Sequence, residues 1–352
     1  MKVGIITYHR AHNYGAVLQC YALQEVLKRM GHDTQIIDYR QPFIEKLYNL
    51  SKKELFFRYK FHPRALMARY AKQKAIKSFF ENFSNDFLQL SDKCAQNAIP
   101  EYEVYIVGSD QMWSLDCVGG KIDPIYFGMF DRSKNSRLIG FSISSNIHSI
   151  GILNERINQY IDNFDAISFR EQTVADTISE IVSKKMLMTL DPTLCTDAEL
   201  WSNVINHGWN NRKYIALYHV MFRFSPAVHD MLYKQACRIA KKNRWEIIDL
   251  STGEYSVSDF VSVIKYAQCV ITSSFHATVF SVIFSRPLFA VQLHDGNDGR
   301  YVSLLNSLNM ANALVDLDFI HESPVKIDYD KVHTVLLHLR ESSLEYLKLN
   351  IR

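Results

Sequence analysis

A chain of 352 residues is longer than one hydrophobic core usually supports, so two domains are expected, and no apolar run approaches the length of a membrane span. With 40 basic and 37 acidic residues the formal net charge is only +3, which offers no bulk attraction for nucleic acid. The six cysteines (Cys20, Cys94, Cys117, Cys195, Cys237 and Cys269) form no C-x-x-C pair, which argues for buried reduced thiols over a zinc site or a disulfide framework.

The opening MKVGIITYHR reads as a buried strand over 3–7 and not as a signal peptide, so a cytoplasmic protein is expected. After a polar loop, Leu18, Tyr21, Ala22, Val26 and Met30 recur at helical spacing and predict a helix over 17–30. Gly31 stands where a helix-ending glycine belongs, and the next strand is predicted over 34–38. Such a β-α-β unit is right-handed and offers ligands the C-terminal ends of its strands. The intervening HNYGA, with Asn13 and Tyr14, resembles a nucleotide-binding turn but lacks the G-x-G-x-x-G spacing, so no dinucleotide cofactor is expected.

From 52 to 77, Lys52, Lys53, Arg58, Lys60, Arg64, Arg69, Lys72, Lys74 and Lys77 stand against a single Glu54, with aromatics interleaved. This partly amphipathic segment suits an anionic membrane surface or acceptor; the plainer alternative is a solvated helix covering its neighbour. Short apolar strands are predicted over 104–107, 138–143, 166–169 and 186–190, as in a sheet covered on both faces. Beyond the first of these, Gly108 and Ser109 allow close backbone approach to a ligand, while Asp110 and Gln111 add an acceptor and an amide; Asp110 could equally cap a turn. Beyond the third, Arg170 should emerge at the ligand edge, where its planar fork suits carboxylate or phosphate. The alternative is an ion pair with Glu171 or another acid.

Asp191-Pro192 then interrupts the pattern, placing a hinge near 191–197. A second alternation follows, with strands over 214–218, 246–250, 269–272 and 288–291 and helices over 226–243, 259–266 and 277–284. In VITSSFHATVFSVIFSRPLFAV, a strand, Ser273-Ser274 and a helix opening at His276 form the layout of an anion site, unless the serines simply cap the helix. A histidine there can donate to phosphate or move a proton near neutral pH. Arg300 follows a polar glycine-containing loop and opens another helix; the plainer alternative is a solvated arginine, but a cation at a helix start is mildly unfavourable, which favours a bound anion. A final helix is predicted over 330–349. The fold class expected is α/β, with two Rossmann-like domains facing a cleft. The boundaries are placed at 1–190 and 191–329, with 330–352 folding back on the first domain.

Taken together, GIITYHRAHNYGAVLQCYALQEVL, IVGSDQMWS, the SFRE segment, LDPTL, SSFHATVFSVIF and GRYVSLLNSLNM resemble the polysaccharide pyruvyl transferase family over nearly the whole chain. The resemblance implies a glycosyltransferase-B-like fold and transfer of pyruvate from phosphoenolpyruvate to a sugar as a cyclic ketal, with release of phosphate. The family's basic cleft residues match Arg170 and His276, and its late arginine matches Arg300; for the chemistry so implied, His276 is the candidate acid and Asp110 the candidate base or orienting acceptor. Arg170, Arg300, Ser273 and Ser274 would bind the donor, whose side is taken to be the C-terminal domain; Asn13, Tyr14, Ser109 and Gln111 would bind the acceptor, whose side is taken to be the N-terminal domain. Two departures stand out. Some members carry arginine at the position of Ser274, which leaves Arg300 to supply that charge, and many carry glycine at the position of Ala277, which crowds the helix start. The acceptor implied is a polysaccharide or lipid-linked oligosaccharide, with phosphoenolpyruvate as co-substrate; the basic segment 52–77 would suit a lipid-linked acceptor at the inner face of the membrane, and with no clustered metal ligands neither cofactor nor metal is expected. The rivals are a nucleotide-sugar glycosyltransferase of the same architecture and a non-catalytic member that binds a glycan or sugar phosphate.

Overall fold

The structure, a computed structural model, describes residues 1–48, 62–220, 226–319 and 323–352; Lys52, Lys53, Arg58 and Lys60 of the basic segment lie outside them. The chain divides into two compact units, Met1–Cys195 with Ser342–Arg352, and Thr196–Glu341. Each is built on one parallel sheet with helices between its strands, so the fold is α/β with two Rossmann-like units.

Unit 1 runs β1 (Lys2–Ile6), α1 (Tyr14–Arg29), β2 (Asp33–Ile36), α2 (Pro42–Tyr48), α3 (Pro63–Phe87), β3 (Val104–Val107), β4 (Arg137–Ile143), α4 (Ile147–Leu153), α5 (Ile157–Asp162), β5 (Ala166–Phe169), α6 (Gln172–Val182) and β6 (Leu187–Met188). The strands lie in the order β2-β1-β3-β4-β5-β6. The chain therefore reverses direction across the sheet between β1 and β3, and ligands of such sheets bind beyond the strand ends at that point. Helix α1 begins three residues earlier than predicted because Asn13 caps it, its Oδ1 accepting from Ala16 N at 3.3 Å. It ends as the sequence requires. Gly31, at φ +87°, lets Gly31 N and His32 N reach back to Lys28 O and Leu27 O. Strand β6 is shorter than predicted, since Leu190 N leaves the ladder for Ser343 Oγ at 2.9 Å.

Unit 2 runs β7 (Tyr214–Tyr218), α7 (Pro226–Asn243), β8 (Glu246–Asp249), α8 (Val257–Tyr266), β9 (Cys269–Thr272), α9 (Phe275–Ile283), β10 (Leu288–Gln292), α10 (Gly299–Ser307) and β11 (Leu314–Asp316). The order β11-β10-β9-β7-β8 puts its reversal between β7 and β9. Strand β11 has three residues, too few for an alternation to reveal it. Helix α8 starts at a capping box in which Ser256 and Asp259 satisfy each other's backbone N–H, two residues before the predicted start. All nine residues of α9 are buried, so its apolar character runs right round, and Phe280 meets Trp201 edge-on at 4.7 Å. The terminal helix α11 (Tyr329–Ile351) starts in unit 2 and ends in unit 1, where Tyr346 Oη donates to Gly140 O at 3.0 Å.

Candidate active site

In unit 1 the chain leaves β3 through Gly108. Its φ is +127°, and a Cβ there would lie 2.2 Å from Phe141 O, so no other residue fits without moving backbone. Asp110 follows at φ +78°, a conformation that costs a non-glycine residue about 1–3 kcal/mol. Two N–H groups hold it there: Asp110 O accepts from Met112 N at 2.7 Å and from Ser144 N at 3.0 Å. Its Oδ1 accepts from Gln111 N at 2.8 Å.

Arg170 arrives from the end of β5 into this loop. Its Nε lies 3.1 Å from Glu171 Oε1, its Nη1 2.7 Å from Asp191 Oδ2, and its Nη2 3.7 Å from Asp110 Oδ1. Burial works against the charge, but Glu171, Asp191 and Asp110 together raise the guanidinium's pKa above its ordinary value. Ser144 Oγ donates to Glu171 Oε1 at 2.6 Å, and Thr193 Oγ1 to Asp191 Oδ1 at 2.6 Å. Ser109 Oγ donates to Ser142 O at 2.9 Å and lies 3.3 Å from Asp191 Oδ2. Three carboxylates thus surround one guanidinium. Side-chain exposure separates them: Asp110 keeps 13%, Glu171 3% and Asp191 none, so Asp110 is the one open to a reacting group.

The expectations for unit 1 change accordingly. Arg170, expected to clamp the donor, is held by acids inside unit 1, the ion-paired alternative. Asn13 uses its side chain to cap α1, and Tyr14 is buried with its ring 5.5 Å from that of Phe80. Ser109 and Gln111 are buried too; Tyr8 Oη donates to Gln111 O at 3.0 Å. Ser109 and Gln111, expected together with Asn13 and Tyr14 to meet an acceptor, belong to the loop that carries Asp110.

In unit 2 the register pairs Tyr218 with Thr272, the last residues of β7 and β9. Thr272 Oγ1 donates to Tyr218 O at 2.6 Å and accepts from Ser274 N at 3.0 Å, closing the turn into α9. Ser274 sits at the N-cap without a side-chain capping bond, and Ser273 Oγ is buried with no hydrogen-bond partner. The capping alternative therefore fails: neither serine hydroxyl caps α9. His276, the second residue of the helix, is 7% exposed, with the ring of Phe275 edge-on at 5.0 Å. The positive end of α9, two serines and an imidazole so share one turn, a setting that favours an anion.

The adjacent strand β10 brings a second loop to the same edge of the sheet. Asp298 Oδ2 accepts from Leu293 N and His294 N at 2.9 and 2.7 Å, and Tyr301 Oη donates to Oδ1. Pinned this way, the loop delivers Arg300 in the first turn of α10, with Nε 3.4 Å from Asn297 O.

Two features escaped sequence reasoning. Asp191 was read only as punctuation before proline, yet it anchors Arg170. His219 directly follows β7; it is wholly buried, with its ring 6.0 Å from that of His229. His229 Nε2 in turn lies 2.7 Å from Asp249 Oδ2. Burial first, and then His229, lower the His219 pKa to about 4, against an opposing pull from Asp249. The usable signal was a histidine placed immediately after a fully apolar strand. Among the described residues, no three His, Cys, Asp or Glu side chains are grouped to hold a metal ion.

The chain is similar in fold to UDP-GlcNAc 2-epimerase from Methanocaldococcus jannaschii, solved with UDP-GlcNAc and UDP: 10% identity, 99% of each chain covered, TM-score 0.45. It is likewise similar to the glycosyltransferase SnogD from Streptomyces nogalater: 9% identity, 99% of each chain covered, TM-score 0.42. Likeness at that level carries no functional argument. No curated protein matches significantly. The profile of the family described as polysaccharide pyruvyl transferase matches residues 13–295, which takes in the Asp110 loop, Arg170 and the Ser273–His276 turn and stops short of Arg300. With most of its length inside that match, the chain belongs to the polysaccharide pyruvyl transferase family.

Proposed function

We propose that this protein transfers pyruvate from phosphoenolpyruvate onto a sugar of a polysaccharide or lipid-linked oligosaccharide, closing a cyclic ketal and releasing phosphate. The observation that carries this reading is the turn into α9, where Ser273, Ser274 and His276 surround a helix N-terminus without capping it. Phosphoenolpyruvate brings a phosphate and a carboxylate; the α9 N-terminus and the serines suit one, and Arg300 suits the other. The acid-rich surroundings of Arg170 would repel such an anion, so its role is reassigned to holding Asp110 in place.

In the reaction, a proton adds to the methylene carbon, and one acceptor hydroxyl attacks the adjacent carbon. The bond from that carbon to the phosphate oxygen breaks, and a second hydroxyl closes the ring. The two hydroxyls release two protons: one replaces the proton given to carbon, and the other leaves with phosphate. His276 supplies a proton on the donor side, and Asp110, the most exposed of its carboxylate group, takes one from the acceptor. Helix α3 is proposed to bring the enzyme to an anionic membrane at the cytoplasmic face, where a lipid-linked acceptor would be presented.

The test is phosphate release from phosphoenolpyruvate with a panel of lipid-linked oligosaccharides. The expected result is release that requires both an acceptor and His276. Sugar transfer from a nucleotide sugar instead, or binding without turnover of any acceptor, would overturn the reading.

A further inference from the structure

The loops at the C-terminal edge of the unit 1 sheet also enclose a cavity of about 560 Å³, formed by the chain after β2 and by a segment around Gly119. That volume lies inside the range of about 300–1,000 Å³ usual for small-molecule sites. Its walls are mixed, with Pro42, Phe43, Val118 and Ile122 beside the polar Tyr39, Arg40, Lys121 and Asp123. Tyr39 Oη donates to Asp123 Oδ2 at 2.8 Å, and Asp123 Oδ1 accepts from Ile125 N at 3.1 Å, so both carboxylate oxygens are held by the protein. Burial raises the pKa of Asp123 above the ordinary carboxylate value. Arg40 is balanced by Asp38, with Nη2 2.8 Å from Oδ2, and Asp38 is fixed from its other side by His9 Nε2 at 2.9 Å. Lys121 is exposed and has no carboxylate partner among the described residues.

One wall is aromatic. Phe43, in α2, rests on the backbone of Gly119: a Cβ added there would lie 2.7 Å from Phe43 Cδ2. The residue nevertheless stays 37% exposed and lines the cavity. An exposed ring beside the Arg40 and Lys121 donors, the first of them balanced by Asp38, suits a ligand that is part apolar and part polar. It suits a pyranose, which offers a C–H face to an aromatic plane and a rim of hydroxyls to donors.

We infer that this cavity binds a sugar unit of the acceptor glycan, its ring stacked on Phe43 and its hydroxyls on Arg40 and Lys121. The inference names the acceptor side of the sugar transfer proposed above and rests on that reading. The test is saturation-transfer NMR on the full chain with methyl glycosides of glucose, galactose, mannose, N-acetylglucosamine and glucuronic acid. At least one glycoside should receive saturation, and Phe43→Ala should weaken its binding by roughly threefold to tenfold. Gly119→Ala, which keeps the ring but displaces it, should weaken binding in the same direction. Phosphoenolpyruvate binding, followed separately by thermal shift, should be unchanged in both variants. A wild-type protein that saturates none of the glycosides, or a Phe43→Ala variant that binds them as well as wild type, overturns the inference. Glycoside binding that depends on Phe43, in a protein that ignores phosphoenolpyruvate, upholds the sugar site and sinks the donor assignment.

Discussion

His276 owes its setting to local sequence: a strand ends, two serines turn the chain, and the helix N-terminus puts positive potential on the imidazole's side of the sheet. His276→Ala should lower turnover by about 100- to 10,000-fold, measured as phosphate release, because a positioned acid or base contributes that much. Arg170 makes a different kind of prediction. Removing its charge leaves Glu171, Asp191 and Asp110 close together and largely buried, so Arg170→Met should cost about 3–5 kcal/mol in urea denaturation. A loss below about 1 kcal/mol would show that the carboxylates do not depend on it. His219 gives stability a pH dependence. With its native pKa lowered to about 4 from 6.5, the unfolded chain takes up a proton first as pH falls. Its contribution is complete above pH 6.5 and is lost as pH drops toward 4. His12 shifts in the same direction, chiefly through burial, so His219→Asn should flatten only part of the fall in urea midpoint across that window. Of these residues, His276 was legible because its whole turn is contiguous in sequence. The Arg170 group was not, since Asp110, Glu171 and Asp191 follow three different strands and only the sheet order brings them together.

Most strands and helices were readable to within a few residues, because parallel strands buried on both faces give short apolar runs and the helices between them keep their caps. The disagreements trace to side chains that propensity ignores: Asn13 starting α1 early, the Ser256–Asp259 box starting α8 early, and Ser343 ending β6 early. Helix α3 carries the described half of the basic segment. Arg64, Arg69, Lys72, Lys74 and Lys77 precede its first acid, Glu81, while Met67 and Tyr70 are exposed and burial is confined to Phe80, Phe83 and Ser84. The protein should therefore sediment with liposomes rich in anionic lipid and be released by salt. Equal sedimentation with neutral liposomes would assign α3 to another role. The Gly108 turn is the other element with a sharp expectation. Gly108→Ala drives a Cβ into Phe141 O, so it should displace Asp110 and remove turnover even where the far-ultraviolet circular dichroism is retained.

At the scale of the molecule, two parallel sheets with their own reversal points give two ligand edges, one carrying Asp110 and the other His276 and Arg300. Both edges were predictable from strand–helix alternation, since the handedness of β-α-β crossovers leaves few alternatives. The cavity beside Phe43 was not, because its walls come from segments some eighty residues apart with no motif in either. No helix among the described residues is long and apolar enough to cross a membrane. The central claim is that the donor is phosphoenolpyruvate, held in unit 2. Thermal unfolding with phosphoenolpyruvate and, separately, with uridine and guanosine diphosphate sugars tests it most directly, since a ligand at 100 times its Kd stabilises the native state by about 2.7 kcal/mol. The account predicts that phosphoenolpyruvate raises the melting temperature of the wild type, that Arg300→Ala abolishes the rise, and that the nucleotide sugars leave it unchanged. A rise with a nucleotide sugar and none with phosphoenolpyruvate would contradict it.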